Sequence, residues 1–283
     1  MSLVGKLGQS LDAQAKKLLQ RATGAVQNVD PSQHVLKAEA EVTRKNYEKF
    51  LPQFKAVAES RRSVKRFTDT PISDEVLDAC LDLAMRAPSS SNLQPWQFVV
   101  IESPVLRQEA IKLCMNQNAA KTSSRLIAVV ARTDTWLEHT FSMLDYWPVQ
   151  PPPAIVKNYY ERLVPAEFTT GPLNLLSPLK KVGVSLSRRF SAPTPAPSYS
   201  ENDRKIWAIK STCLAAQNLM LAFKAHGFDS CPMGGFEEAG MKKILGLGSH
   251  QHITMMIGAG ERAEGGVYHD QFRFERERFI KVV

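Results

Sequence analysis

Apolar positions along the chain change their period several times, and each change predicts a different element. Val4, Leu7, Leu11 and Leu18 fall at three- and four-residue steps interrupted at Gln14, which predicts a helix with one narrow apolar stripe. Asp30 and Pro31 then supply an N-cap and a first-turn proline for a second helix carrying Val35, Ala38, Val42, Phe50, Phe54 and Val57. Residues 1–58 therefore read as an N-terminal helical arm, whose stripe needs burial against the body or a second subunit.

The body begins near Glu59. Ser73 is placed to cap a helix with Asp74 and Glu75 in its first turn, and Ile72 and Leu77 stand at the positions of a hydrophobic staple. Its predicted apolar face is Val76, Leu77, Cys80, Leu81 and Ala84. Two short apolar runs, Trp96 to Ile101 and Leu126 to Ala131, predict buried strands with a helical stretch between them.

Residues 133–200 break this rhythm with Trp147-Pro148, a proline triplet at 151–153 and a Pro/Ser/Ala stretch from 191 to 200. They read as an insertion of lid or binding-loop type within a 59–283 domain. Its basic piece, Lys180-Lys181 through Arg188-Arg189, reads as a solvated helix face. From Asp203, the spacing of Ile206, Ile209, Cys213, Ala216, Met220 and Phe223 predicts a long, deeply buried helix, with Gly227 as its left-handed C-cap. A glycine-rich turn, Cys231 to Phe236, a short helix to Leu245, a strand from Ile253 to Ile257 and a tail rich in arginine and aromatics complete the chain. This alternation points to an α/β or α+β layer fold and leaves the strand order open.

Length and composition add bounds. With 283 residues, 43% of them hydrophobic, the chain can bury a core without disulfides or metals. It has no run of eighteen apolar residues and no secretory-type leader, so the expectation is a cytoplasmic protein without integral membrane association. The four cysteines show no C-x-x-C spacing, so reduced structural thiols are expected, and no metal site. The formal net charge of +8 is dispersed and carries no nucleic-acid-binding module, so phosphate-bearing small molecules suffice as partners.

Three clusters can carry chemistry. Arg61-Arg62-Ser63-Val64-Lys65-Arg66-Phe67 concentrates guanidinium and ammonium groups with one hydroxyl, a set suited to a phosphate. The run from Ala87 to Trp96 packs three serines, Asn92 and Gln94 between two prolines, and offers donors and acceptors to the edge of a polar heterocycle. Gly234 and Gly235 would let the main chain approach a flat ligand. The stretch Phe272 to Arg278 is a further source of guanidinium groups, or an edge strand with its charges outward. Dinucleotide and nucleotide fingerprints of the G-x-G-x-x-G and G-x-x-x-x-G-K-[ST] kinds do not occur.

The order of Arg-Arg-Ser-Val-Lys-Arg-Phe at 61–67, Ala-Pro-Ser-Ser-Ser-Asn-Leu-Gln-Pro-Trp at 87–96 and Cys-Pro-Met-Gly-Gly-Phe at 231–236 resembles the nitroreductase family. A strand ending Ile-Gly-Ala-Gly and an arginine-containing tail extend the likeness over residues 59–132 and 203–283. The resemblance implies an α+β fold, with a central, mainly antiparallel sheet wrapped by helices, in an intertwined homodimer that binds FMN between subunits. Arg61, Arg62, Ser63 and Lys65 would hold the FMN phosphate and ribityl side, and Pro88, Ser89 and Ser90 would approach the flavin of the partner subunit. Asn116, with Asn118 as its competitor, would meet the pyrimidine edge. The amides around Gly234 and Gly235 would face flavin N5, and Arg276, or in second place Arg273, would close over the phosphate. Many relatives carry an acidic residue at the position of Gly234, a departure that bears on substrate preference.

The implied activity is an NAD(P)H-dependent FMN oxidoreductase. Hydride passes from the nicotinamide to FMN, and a nitroaromatic, quinone or related small-molecule acceptor is then reduced in a ping-pong cycle without a catalytic side-chain acid or base. Two other readings stand beside it: a flavin-fragmenting or dehalogenating relative with the insertion as a closed lid, and a flavin-binding sensor or interaction protein. The aromatics of the insertion, Trp136, Tyr146, Trp147, Tyr159, Tyr160 and Phe168, are expected to select the acceptor and to leave flavin reduction unaffected.

Overall fold

The computed structural model of the chain describes residues 35–169 and 198–283, together with residues 178, 182–185 and 189, and side chains from residue 46 onward. The stripe at 4–18, the cap at Asp30-Pro31, Lys180, Lys181 and Arg188 of the basic piece, and residues 191–197 of the Pro/Ser/Ala stretch lie outside the described residues. The chain divides into two compact units. One comprises residues 53–88, 96–131 and 209–283, and the other comprises residues up to 52, 89–95 and 132–208.

Helix α1 (Val35–Ser60) leads into the first unit. Helix α2 (Asp74–Met85) starts where the capping signal places it: Ser73 Oγ accepts from the Val76 amide at 3.4 Å, and Leu77, Cys80 and Ala84 are buried together with Ile72. A cap of this kind contributes about 1 kcal/mol to helix stability. The unit also contains β1 (Trp96–Val100), α3 (Pro104–Leu113), α4 (Asn118–Thr122) and β2 (Arg125–Arg132).

The sheet is four-stranded in the order β1-β2-β4-β3, with β3 at Asp229–Met233 and β4 at Gln251–Gly260. Strand β1 pairs antiparallel with β2 from Trp96↔Ala131 to Val100↔Ile127, and β3 pairs antiparallel with β4 from Asp229↔Gly260 to Met233↔Met256. Side chains of β2 alternate between two cores. Leu126, Ala128 and Val130 join Cys114, Cys231 and Met256, whereas Ile127 and Val129 join Leu77, Leu219 and Phe223. A strand buried on both faces is written as an unbroken apolar run, which is how this one appears in the sequence. Strand β1 lies at the sheet edge and is half-buried along its length, so the expectation of full burial holds for β2 alone. Gly258 lets α4 sit directly on β4, since a Cβ there would stand 2.5 Å from the Ala119 carbonyl oxygen.

Three further expectations change. The long helix, α8 (Glu201–Ala225), is buried through Ala208, Ser211, Thr212, Ala215, Ala216, Leu219 and Phe223, whereas Ile206 is 47% exposed and Cys213 half-buried. Small residues allow close approach along that stripe, and a search for large apolar side chains passes over them. The predicted turn at Cys231 to Phe236 begins only at Gly234, because Cys231, Pro232 and Met233 belong to β3. Proline is tolerated there because β3 is an edge strand. The tail forms a short 3₁₀ turn at Arg276–Arg278 in place of an edge strand. Gly227 has φ +86°, as its C-cap role requires.

The second unit contains α5 (Trp136–Asp145) and a helical run built from α6 (Ala154–Asn158), a π-helical turn (Tyr159–Leu163) and α7 (Val164–Phe168). Fully buried Phe168 stacks on Trp136 at 5.4 Å and meets Trp207 edge-on at 4.7 Å. The described part of the expected insertion is therefore mostly helical and carries its own aromatic core.

Candidate functional site

The segment after α1 runs beside the outer edge of β3. Ser63 bridges Ser230 in parallel, the Val64 amide donates to the Ser230 carbonyl at 3.2 Å, and the Lys65 amide donates to the Gly266 carbonyl at 2.7 Å. Val64 and Phe67 are buried. Extended backbone alternates its side chains, so Ser63 and Lys65 lie on the face of this segment opposite Val64. The base of this edge is held by Asp229, 5% exposed, which receives Arg262 through two bonds of 3.0 Å and Lys224 at 3.2 Å.

Arg61, Arg62, Ser63 and Lys65 line one cavity of about 360 Å³, whose far wall is formed by Val267 to His269 and by Arg273. None of the described lining residues is acidic. Arg62 Nη2 donates to the His269 carbonyl, which ties the tail to the cation cluster, and Arg273 Nη1 donates to the Phe272 carbonyl at 2.6 Å within the tail. Lys65 Nζ rests 3.2 Å from the Cys231 sulfur. Arg61 Nη1 is buried and has no hydrogen-bond partner among the described residues. Such a donor is costly to leave unpaired, and the walls around it supply positive charge and a hydroxyl without a competing carboxylate. This donor set fits a phosphate.

Gly234 and Gly235 follow β3. A Cβ on Gly234 would meet nothing within 4 Å, and one on Gly235 would make only an ordinary contact with Gln117 at 3.5 Å. Neither packing within the described chain nor a left-handed φ requires glycine here. The turn is tied by Gln117, whose Nε2 donates to the Gly235 carbonyl at 2.7 Å and to the Cys114 carbonyl at 3.0 Å. Met115 and Asn116 adopt φ +55° and +53° between α3 and α4, which aims Gln117 at the turn. Asn116 itself is exposed, and Asn118 opens α4 with its carbonyl accepting from the Thr122 hydroxyl at 2.8 Å.

In the other unit, Ser89 and Ser90 open a loop with unusual backbone. Ser91, Asn92 and Gln94 have φ of +54°, +51° and +46°. Residues bearing a Cβ avoid this region, and clusters of such residues mark sites where surrounding structure over-determines the conformation. Ser89 Oγ accepts from the Gln94 amide at 2.9 Å, closing the loop on itself.

Arg61, Arg62 and Lys65 thus converge in one cavity, together with Ser63. Of the two tail arginines, Arg273 lines that cavity, and Arg276 opens the 3₁₀ turn that follows. Gly234 and Gly235 lie at the end of the strand beside that segment. Pro88 is exposed and belongs to the sheet-containing unit, and Ser89 and Ser90 belong to the other. Gln117, His269 and the Cys231 thiol were not singled out from the sequence. Only the position of Gln117 between two candidate asparagines offered a signal.

Fold and site together define an α+β protein with a cation-lined cavity along a sheet edge. The nitroreductase family model matches residues 58–261, and the chain belongs to that family. The NADH dehydrogenase of Thermus thermophilus is 26% identical over 222 residues, covering 78% of this chain and 93% of that protein. Protein DrgA of Synechocystis is 32% identical over 205 residues, covering 72% and 81%. Among solved structures, a "putative nitroreductase in complex with FMN" from Exiguobacterium sibiricum superposes with a TM-score of 0.61 at 23% identity, covering 81% of this chain and 97% of that one. The expected α+β architecture and family are borne out. Among the described residues, no helix is long and apolar enough to cross a membrane.

Proposed function

We propose that the protein is an FMN-dependent oxidoreductase that takes hydride from NAD(P)H and reduces a nitroaromatic, quinone or related acceptor, the two substrates using the site in turn. The observation that carries this reading is the buried, unpartnered Arg61 Nη1 in a cavity shared with Arg62, Ser63, Lys65 and Arg273. Those residues would hold the FMN phosphate, and bound FMN would supply the hydride-accepting and hydride-donating chemistry. Positive charge at the cavity stabilises the bound dianion. The open surface above Gly234 would let the main chain lie against a flat ring, with Gln117 holding the turn still.

Arg276, Asn116, Pro88, Ser89 and Ser90 enter this reading as further FMN contacts, with Ser89 and Ser90 reaching the flavin of a second subunit. A homodimer is supported by the exposed apolar stripe of α1, Tyr47, Phe50, Leu51 and Phe54, and by exposed Phe272, Phe274, Phe279 and Ile280 in the tail. The named relatives support the nicotinamide and the FMN: the Thermus protein is named an NADH dehydrogenase, and the Exiguobacterium structure holds FMN.

The test is anaerobic stopped-flow on purified protein loaded with FMN. The flavin absorbance should bleach on mixing with NADH or NADPH and return on mixing with a quinone. Bound FMN that neither nicotinamide reduces would contradict the proposal.

A further inference from the structure

The Ser89–Gln94 loop is gripped by the segment that follows β2. Tyr159 OH lies 2.8 Å from Ser91 Oγ, Tyr160 OH donates to the Ser91 carbonyl at 3.1 Å, and His139 Nδ1 lies 2.6 Å from the Leu93 carbonyl. Asn92 Nδ2 adds a contact of 3.6 Å to the Met143 sulfur. All of these groups belong to one compact unit.

Ser91 stands at the centre of the grip, in a backbone region that suits serine poorly. Asparagine tolerates the left-handed region through its short polar side chain, but serine has no such aptitude, and neither residue has glycine's freedom. The conformation is held from outside, one tyrosine taking the Ser91 side chain and its neighbour the Ser91 carbonyl. Two adjacent residues of an ordinary α-helix point about 100° apart, as 3.6 residues per turn dictate. Here both hydroxyls reach one residue. The helix widens at this point into a π-turn, in which the Val164 amide bonds the Tyr159 carbonyl. Such turns are rare and concentrate at functional positions.

The tyrosines are themselves fixed. Tyr160 is 6% exposed, meets Tyr159 edge-on at 5.0 Å and lies 6.3 Å from Trp147. Burial, and the neighbouring Tyr159 after it, push the Tyr160 hydroxyl above its ordinary titration range, so it stays protonated and able to donate.

We infer that Tyr159 and Tyr160 are positioning residues that hold the Ser89–Gln94 loop in its flavin-contacting shape, so that the 133–169 segment sets the geometry of the cofactor site. The inference rests on the function proposed above, because only that reading brings Ser89 and Ser90 to a flavin. It also replaces the expectation that this segment affects the choice of acceptor alone.

The test uses full-length protein, wild type and the Tyr159→Phe, Tyr160→Phe and Tyr160→Phe/Ser91→Gly variants, with three readouts. Hydrogen exchange without flavin should show faster exchange of loop amides in both tyrosine variants than in wild type. FMN titration should show affinity weakened about five- to tenfold, the loss expected for one hydrogen bond, and the visible circular dichroism of bound flavin should change. Adding Ser91→Gly should restore affinity and spectrum in the Tyr160→Phe background, because glycine accepts the left-handed backbone without a clamp. A general loss of fold would not be rescued in this way. Unchanged loop exchange in the tyrosine variants would overturn the clamp. Faster exchange with unchanged FMN affinity and spectrum would overturn its positioning role, whereas wild-type protein that takes up no FMN would overturn the proposed function and the flavin half of the inference with it.

Discussion

The side-chain amide of Gln117 donates to the Gly235 carbonyl at 2.7 Å, joining the α3–α4 corner to the turn after β3. The turn is thus held by one side chain while Gly234 faces open space. Replacing Gln117 by alanine should leave the fold intact and weaken FMN binding by about 1 kcal/mol, the net worth of one hydrogen bond. Gly234→Val should shift stability by no more than about 0.5 kcal/mol, since nothing lies within 4 Å of its Cβ position, yet should reduce FMN affinity more than Gln117→Ala does. Urea unfolding and FMN titration on the same samples separate the two effects, and a Gly234 variant that unfolds easily would show the glycine to be structural.

Acid should weaken the anchorage of the segment that follows the cation cluster. Thr68 and Thr70 each donate to Glu261 Oε2 at 2.6 Å and, in that order, hold its carboxylate below its ordinary value of 4.5. A depressed carboxylate contributes stability that is fully present above the value in the unfolded chain, and that is lost as pH falls through the folded one. Wild type should therefore exceed Glu261→Gln in urea-unfolding stability at neutral pH, and the difference should begin to shrink as pH falls below the free carboxylate's 4.5 and vanish once pH is below the depressed folded-state value. A difference that grows in acid would contradict the assignment.

Association should depend on the exposed stripe of α1. Phe50 and Phe54 are 51% and 60% exposed, lie one helical turn apart and share a face with Tyr47 and Leu51. Sedimentation should give a dimer of the 31.6 kDa chain, and the Phe50→Asp/Phe54→Asp variant should dissociate at micromolar concentration. Stable monomeric wild type that retains FMN would refute the shared-site arrangement.

Local signals with strong physical constraints were legible in the sequence: the Ser73 cap, the doubly buried β2 run, the left-handed Gly227 and the density of cations from Arg61 to Lys65. What escaped depends on contacts distant in the chain. The N-terminal part of the buried stripe of α8, Ala208 to Ala216, is made of alanine, serine and threonine, which carry little hydropathy contrast with a surface. Pro232 reads as a turn residue unless its strand is known to lie at a sheet edge. The joining of Gln117 to Gly235 spans 118 positions and that of Ser91 to Tyr159 spans 68, so neither leaves a local pattern. That Arg273 lines the cavity beside Arg61 and Arg62 likewise depends on how the tail returns to residues 61–65, which no local pattern records.

The central claim, that Arg61 and its neighbours hold a flavin through its phosphate, is tested most directly by comparing FMN with riboflavin, which has the same ring and no phosphate. Charge-assisted hydrogen bonds contribute roughly 1.5 to 3 kcal/mol each, so wild type should bind FMN at least a hundredfold more tightly than riboflavin, about 2.7 kcal/mol. The Arg61→Ala/Lys65→Ala variant should lose most of that preference while binding riboflavin as before. Equal affinity of wild type for the two flavins, or an undiminished preference in the double variant, would contradict the account.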